Sequence, residues 1–270
     1  MLKRKNIFMK AKTLAGLALM LVMPTMMFAR IPLGDEAYAA YEYTDSVKES
    51  MPYRMLKPTI LKEGVKYPLV LFLHGHGERG DNNEKQLNHG SLLFSNPSNE
   101  DEFPAFIVFP QCDSGKEWTA PYDERSFMPG APIPEESYEE KLVMGLLDDL
   151  IKNYPIDSNR VYIMGISMGG IGTYDLVVRY PEKFAAAVPI CGAINPERLS
   201  VAKDVPFYIF QGSDDHTVPI LAGREAYKAL KAAGADVKYR EYYGADHSET
   251  WIDAFNNPDL LPWMFSQKKK

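Results

Sequence analysis

Five near-continuous apolar runs constrain this chain more than any other feature. They are "YPLVLFLHGHG" (67–77), "PAFIVFPQ" (104–111), "NRVYIMGIS" (159–167), "AAAVPICG" (185–192) and "VPFYIFQGS" (205–213). A strand exposed on one face alternates apolar and polar residues, whereas these runs are apolar at successive positions, as strands buried on both faces require. The segments between them have a different period. "SYEEKLVMGLLDDLIKNYP" (137–155) places Leu142, Val143, Leu146, Leu147, Leu150 and Ile151 on one helical face and stops at Pro155. "GGIGTYDLVVRYPEKF" reads as a helix ending before Pro181, and "ILAGREAYKALKAAG" (220–234) as one with a glycine stop. "DVKYREYY" (236–243) alternates as a last strand. Strand–helix alternation with buried strands predicts an α/β fold: a doubly wound, mostly parallel sheet in a single domain. In such sheets function gathers at the carboxyl ends of the strands. Those ends are His74–Glu78, Ser167, Ser213–Val218 and the loop after Tyr243.

The first 29 residues do not belong to this pattern. Lys3, Arg4, Lys5, Lys10 and Lys12 form a basic stretch without an acid, and "TLAGLALMLVMPTMMFA" (13–29) follows as an apolar run broken by Pro24. This order reads as a secretory signal peptide rather than a retained anchor, with the folded domain from residue 30 to 270. Its removal lowers the basic count from 30 to 25 against 36 acids, a net charge of −11. So acidic a chain is a poor partner for nucleic acid, and after cleavage nothing in it suits a membrane. Cys112 and Cys191 could pair in an exported protein, but each adjoins an apolar segment, which favours two buried free thiols. Neither has the spacing of a metal site. Asp214, Asp215 and His216 are adjacent, and adjacent residues rarely point at one ion, so no metal or cofactor is expected.

"GISMG" (165–169) fits G-x-S-x-G where a strand turns into a helix. A serine aimed out of such a turn takes a strained backbone, and Gly165 and Gly169 remove the side chains that would clash. The helix beginning there offers free N–H groups to a developing negative charge. A serine is a weak nucleophile and needs a base held by a third group. Of the five histidines, His247 comes late and sits in a loop past the last predicted strand, and His216 is the second candidate. "FQGSDDHTVP" supplies the acid, Asp215 or, as the alternative, Asp214. An oxyanion hole needs two donors: the N–H of Met168, after the nucleophile, and one from the "HGHG" loop, here the N–H of His76. His74 is expected to brace that loop, and Glu78 and Arg79 to brace it as an ion pair. Trp118 and Trp251 are candidates for lining a substrate pocket, and "TAPYDERSFMPGAPIPEES" (119–137) for walling it.

In this order, "FLHGHGERG", "PQC…W", "GISMGGIGTYDL…YPEKFAAAVPICG", "QGSDDHTVP" and "GADHSETW" resemble the α/β-hydrolase superfamily. The resemblance is closest to secreted esterases near the family 1 carbohydrate esterases (feruloyl and acetylxylan esterases), polyhydroxybutyrate depolymerase-like esterases and phospholipase/carboxylesterases. It runs from about Tyr67 to Trp251. It implies Ser167 as nucleophile, Asp215 as acid, His247 as base, and the N–H groups of His76 and Met168 as oxyanion donors. The "D-x-x-V-P" phrase favours Asp215 over Asp214. The lipase-type HGGG is absent, because His76 stands in place of a glycine, and no insertion is long enough for a large lid. The resemblance implies an ester substrate, small or polysaccharide-linked, with acetyl or feruloyl as the acyl group. Two rivals use the same features: a peptidase of the prolyl oligopeptidase type, and an inactive hydrolase fold that binds a ligand.

Overall fold

The computed structural model describes residues 34–269. The predicted signal peptide lies outside them. In chain order the strands are β1 (Ala39–Thr44), β2 (Ser50–Leu56), β3 (Tyr67–Leu73), β4 (Phe106–Pro110), β5 (Ile156–Ile166), β6 (Ala186–Ile190), β7 (Phe207–Gly212) and β8 (Val237–Tyr242). The helices are α1 (Ser91–Ser95), α2 (Pro97–Glu102), α3 (Tyr138–Asn153), α4 (Met168–Arg179), α5 (Ile220–Ala232), α6 (His247–Phe255) and α7 (Leu260–Phe265). The eight strands form one sheet in the order β1-β2-β4-β3-β5-β6-β7-β8. From β4 to β8 every neighbour is parallel. Only β1 with β2 and β2 with β4 pair antiparallel. The fold is α/β and mostly parallel, as the apolar runs predict.

Alternation along each strand divides the core into two layers. Leu69, Leu71 and Leu73 of β3 face one side with Val161 and Ile163 of β5, and α3, α4 and α5 cover them with Leu146, Tyr174 and Leu230. Val70 and Phe72 face the other side with Tyr162 and Met164, where α1, α6 and α7 close over them with Phe94, Ala254 and Leu260. Two buried layers explain why these strands carry no polar face.

Several elements depart from expectation. The antiparallel pair β1–β2 was not predicted, because its alternation is diluted by exposed polar and charged residues. The segment after Tyr243 is not one loop: residues 247–255 and 260–265 are helical. Asp246 caps α6 through a capping box, accepting from the Glu249 N–H at 2.8 Å while the Glu249 carboxylate accepts from the Asp246 N–H at 2.9 Å.

Candidate active site

Ser167 stands at the tip of β5 as the N-cap of α4, with φ 54° and ψ −120°. This backbone is strained for a residue with a side chain. Its surroundings hold it there. The Ser167 N–H donates to the Ile190 carbonyl on β6 at 3.0 Å, and the Ser167 carbonyl accepts from the Ile171 N–H at 3.0 Å. A Cβ on Gly169 would press into the carbonyls of Leu73 and His74, and one on Gly165 into the carbonyl of Gly169. The glycines therefore let α4 start directly against the end of β3.

His247 is the first residue of α6, so the capped end of that helix fixes its position. Its Nε2 lies 2.8 Å from Ser167 Oγ, and its Nδ1 2.7 Å from Asp215 Oδ2. Asp215 is buried beyond the end of β7. Its Oδ1 accepts from the N–H groups of Thr217 (2.9 Å) and Val218 (2.8 Å), and its Oδ2 accepts from Gln211 Nε2 at 3.1 Å. Four donors thus surround the carboxylate and hold it in one orientation. Asp214 is not part of this line. Its side chain is exposed, and its N–H donates to the Ala245 carbonyl at 3.0 Å. His216 is also exposed.

The "HGHG" loop lies against the serine. Gly75 backs onto it closely: a Cβ there would lie 3.7 Å from Ser167 Cβ. His76 is exposed and opens a short 3-10 turn, His76–Glu78. Met168 opens α4 and is buried, and N–H groups in a first helical turn have no acceptor within the helix. His74 braces the loop: its Nε2 accepts from the Cys112 N–H at 3.0 Å, so its Nδ1 carries the proton donated to the Gly75 carbonyl at 2.6 Å. Burial is the main cause that lowers His74 to about 4, and the Arg79 charge adds to it, so the ring is neutral in this role.

Two expectations need correction. Glu78 and Arg79 do not pair with each other. Arg79 spans the loop instead, donating from Nε to the His76 carbonyl (3.1 Å) and from Nη1 to the Lys116 carbonyl (2.8 Å). Glu78 faces His89, with 3.6 Å between Oε1 and Nε2. Trp118 lines no pocket. It is fully buried, and its Nε1–H donates to the His74 carbonyl at 2.9 Å, because a buried indole needs an acceptor. Trp251 is half-buried, and its ring meets the His247 ring edge-on with 5.3 Å between centroids.

The 119–137 segment forms a wall beside α4 and the turn that follows Asp215. Tyr122 and Phe127 pack with Ile171, Ala193 and Val218. Arg179 Nη2 anchors the segment through the Pro134 carbonyl at 2.7 Å, and the Gly130 N–H donates to Glu197 at 2.8 Å. Behind the wall, Arg179 and Arg198 pair with buried Asp175, and Glu140 adjoins them. Burial first, and the Asp175 carboxylate second, lift Glu140 well above the ordinary carboxylate range, so it serves there as a neutral acid.

Gln211 is a further functional residue, one that the sequence did not single out. Gln211 was legible as the one amide inside an apolar strand, and it is fully buried. Cys191 is a free, buried thiol at φ 40°, with its Sγ within 4.8 Å of ligand atoms of Asp215 and His247. Such a trio can hold a soft cation only as a thiolate. Burial pushes the Cys191 thiol far up, and His247 Nδ1 already faces Asp215. Cys112 is likewise buried and free.

Residues 58–252 match the phospholipase/carboxylesterase family. The carboxylesterase SOBER1 of Arabidopsis thaliana is 32% identical over 204 residues, spanning 68% of this chain and 88% of that protein. The crystal structure of a thermostable esterase is 33% identical, with a TM-score of 0.81 over 87% of this chain, which spans 64% of that one. A ferulic acid esterase from Anaeromyces mucronatus, solved with ferulic acid, shares the fold at 18% identity and a TM-score of 0.58, over 83% of this chain and 90% of that one. This chain therefore belongs to the phospholipase/carboxylesterase family and is an esterase built on the α/β-hydrolase fold.

Proposed function

We propose that the chain hydrolyses carboxylic esters through a covalent acyl-enzyme on Ser167. The observation that carries this is the unbroken line Asp215 Oδ2–His247 Nδ1 at 2.7 Å and His247 Nε2–Ser167 Oγ at 2.8 Å. His247 takes the serine proton as Oγ attacks the ester carbonyl, and Asp215 holds the imidazole in the required tautomer and supports its charge. The N–H groups of His76 and Met168 receive the oxyanion. The alcohol leaves with the proton from His247, and water repeats the attack on the acyl-serine.

The acyl group is proposed to be one such as acetyl or feruloyl, carried by a carbohydrate; the likeness to a ferulic acid esterase fold supports this reading. The basic and apolar segment at 1–29 supports export, so the ester is proposed to be met outside the cytoplasm.

Ser167→Ala is expected to lower kcat for p-nitrophenyl acetate by about 10³-fold or more and to abolish labelling by a fluorophosphonate probe. Full activity in a clean preparation of that variant would overturn the assignment. An amide of the same acyl group is expected to turn over far more slowly, which separates this reading from a peptidase.

A further inference from the structure

Three surface clefts are lined by different chemistry. One of about 390 Å³, beside β1 and β2, carries five carboxylates and Lys116. Another of about 790 Å³ surrounds the amino end of β3, opposite the end of the sheet where Ser167 stands, and is rimmed by lysines and carboxylates. The third, about 380 Å³, lies between α1 and α6. No Asp, Glu, Lys or Arg lines it. Asn88, His89, Leu92, Trp251, Ile252 and Asn256 do.

This third cleft adjoins the proposed base. Trp251 separates them, with its ring centroid 5.3 Å from that of His247 on one side and 5.3 Å from that of His89 on the other. Its floor is fixed by Gly90, which has φ +84° and lies so close to Phe72 that a Cβ would come within 2.7 Å of the ring. In the acyl-transfer step the new bond joins Ser167 Oγ to the acyl carbon, and the carbon–oxygen bond to the alcohol breaks. The proton taken from Ser167 passes from His247 Nε2 to that alcohol oxygen. The alcohol therefore departs on the side where His247 and Trp251 lie.

We propose that the cleft between α1 and α6 is the subsite for the alcohol half of the ester, and that it takes a neutral glycosyl unit. This rests on the acyl-enzyme reading above. Half-buried Trp251 contributes apolar indole surface to the lining, on which the C–H groups of a sugar ring pack. The exposed amides of Asn88 and Asn256 have no protein partner, and an amide both donates and accepts, as a sugar hydroxyl does. An anionic headgroup such as a phosphate ester would call for Arg or Lys, and the lining has neither. The volume lies near the lower end of the usual range for small-molecule sites, about 300–1,000 Å³, and suits one or two sugar rings.

The test compares two substrates with the same acyl group on the full chain: acetylated methyl β-xylopyranoside and ethyl acetate. Asn88→Leu and Asn256→Leu remove the amides without touching the triad residues. In each, the ratio of kcat/KM for the sugar ester to that for ethyl acetate is expected to fall about 3- to 10-fold, mainly through KM, as the loss of one hydrogen bond predicts. An unchanged ratio in both variants overturns the subsite, as does faster turnover of an acetylated glycerophosphate than of the acetylated sugar. Fluorophosphonate labelling run alongside separates the two readings. If the wild type does not label, the acyl-enzyme reading fails with the subsite; if it labels and the ratio holds, the subsite alone fails.

Discussion

At the scale of the residue, the arrangement depends on groups that touch the Asp215 carboxylate. Gln211 is the clearest. From inside β7 it donates to Asp215 Oδ2 and to the Val218 carbonyl at 2.8 Å, tying the acid to its own turn. Gln211→Leu keeps the volume and removes the donor. Its expected effect is a fall in kcat of about tenfold or more with little change in KM, because a lost hydrogen bond to a charged group costs about 1.5–3 kcal/mol. A parallel rise in KM would make Gln211 a packing residue rather than a positioning one. The residues themselves were largely legible. Ser167 could be found because few contexts place glycines on both sides of a serine after a buried strand. Asp215 and Asp214 could not be separated by spacing, since the choice depends on which carboxylate the 213–218 turn directs inward. Trp118 and Trp251 look alike in sequence, and only the course of the 113–118 loop buries one against His74 and leaves the other half open beside His247.

At the scale of the element, a short helix positions the proposed base. Because His247 is the first residue of α6, the cap that sets the start of the helix also sets the imidazole. Asp246→Ala removes the cap and is expected to cost about 1 kcal/mol of stability. It is also expected to lower kcat by more than that loss of folded protein explains, since Nε2 must stay within hydrogen-bond reach of Oγ. Chemical denaturation and steady-state kinetics on one preparation check both parts; unchanged kcat would show that α6 is held by packing alone. The D-x-x-E pattern of "DHSE" was a readable helix start, but α6 has only nine residues and too few turns for periodicity to emerge. The long helices and the five apolar strands were clear because both their faces or one full stripe enter the core. The β1–β2 pair was hidden because it lies at the sheet edge, half in water.

At the scale of the whole molecule, the buried neutral His74 links folding to pH. Its folded value of about 4 lies below the ordinary histidine value of 6.5, so between these limits the unfolded chain binds a proton that the folded chain does not. Stability is therefore expected to fall as pH drops from about 6.5 to about 4, with this group contributing up to about 3 kcal/mol. His74→Gln, which keeps an acceptor for the Cys112 N–H, is expected to flatten the Tm-versus-pH curve over that window. Equal slopes for variant and wild type would assign the acid sensitivity to other groups. The way the site is assembled along the chain has another consequence. Ser167 directly follows β5 and Asp215 lies beyond the end of β7, while His247 lies 80 residues beyond the serine on α6. A chain synthesised from its amino end therefore holds the nucleophile before its base, and Ser167 has no base within reach until α6 is in place. On the proposed mechanism the enzyme cannot turn over before residue 247 has been added and α6 has brought it to Ser167.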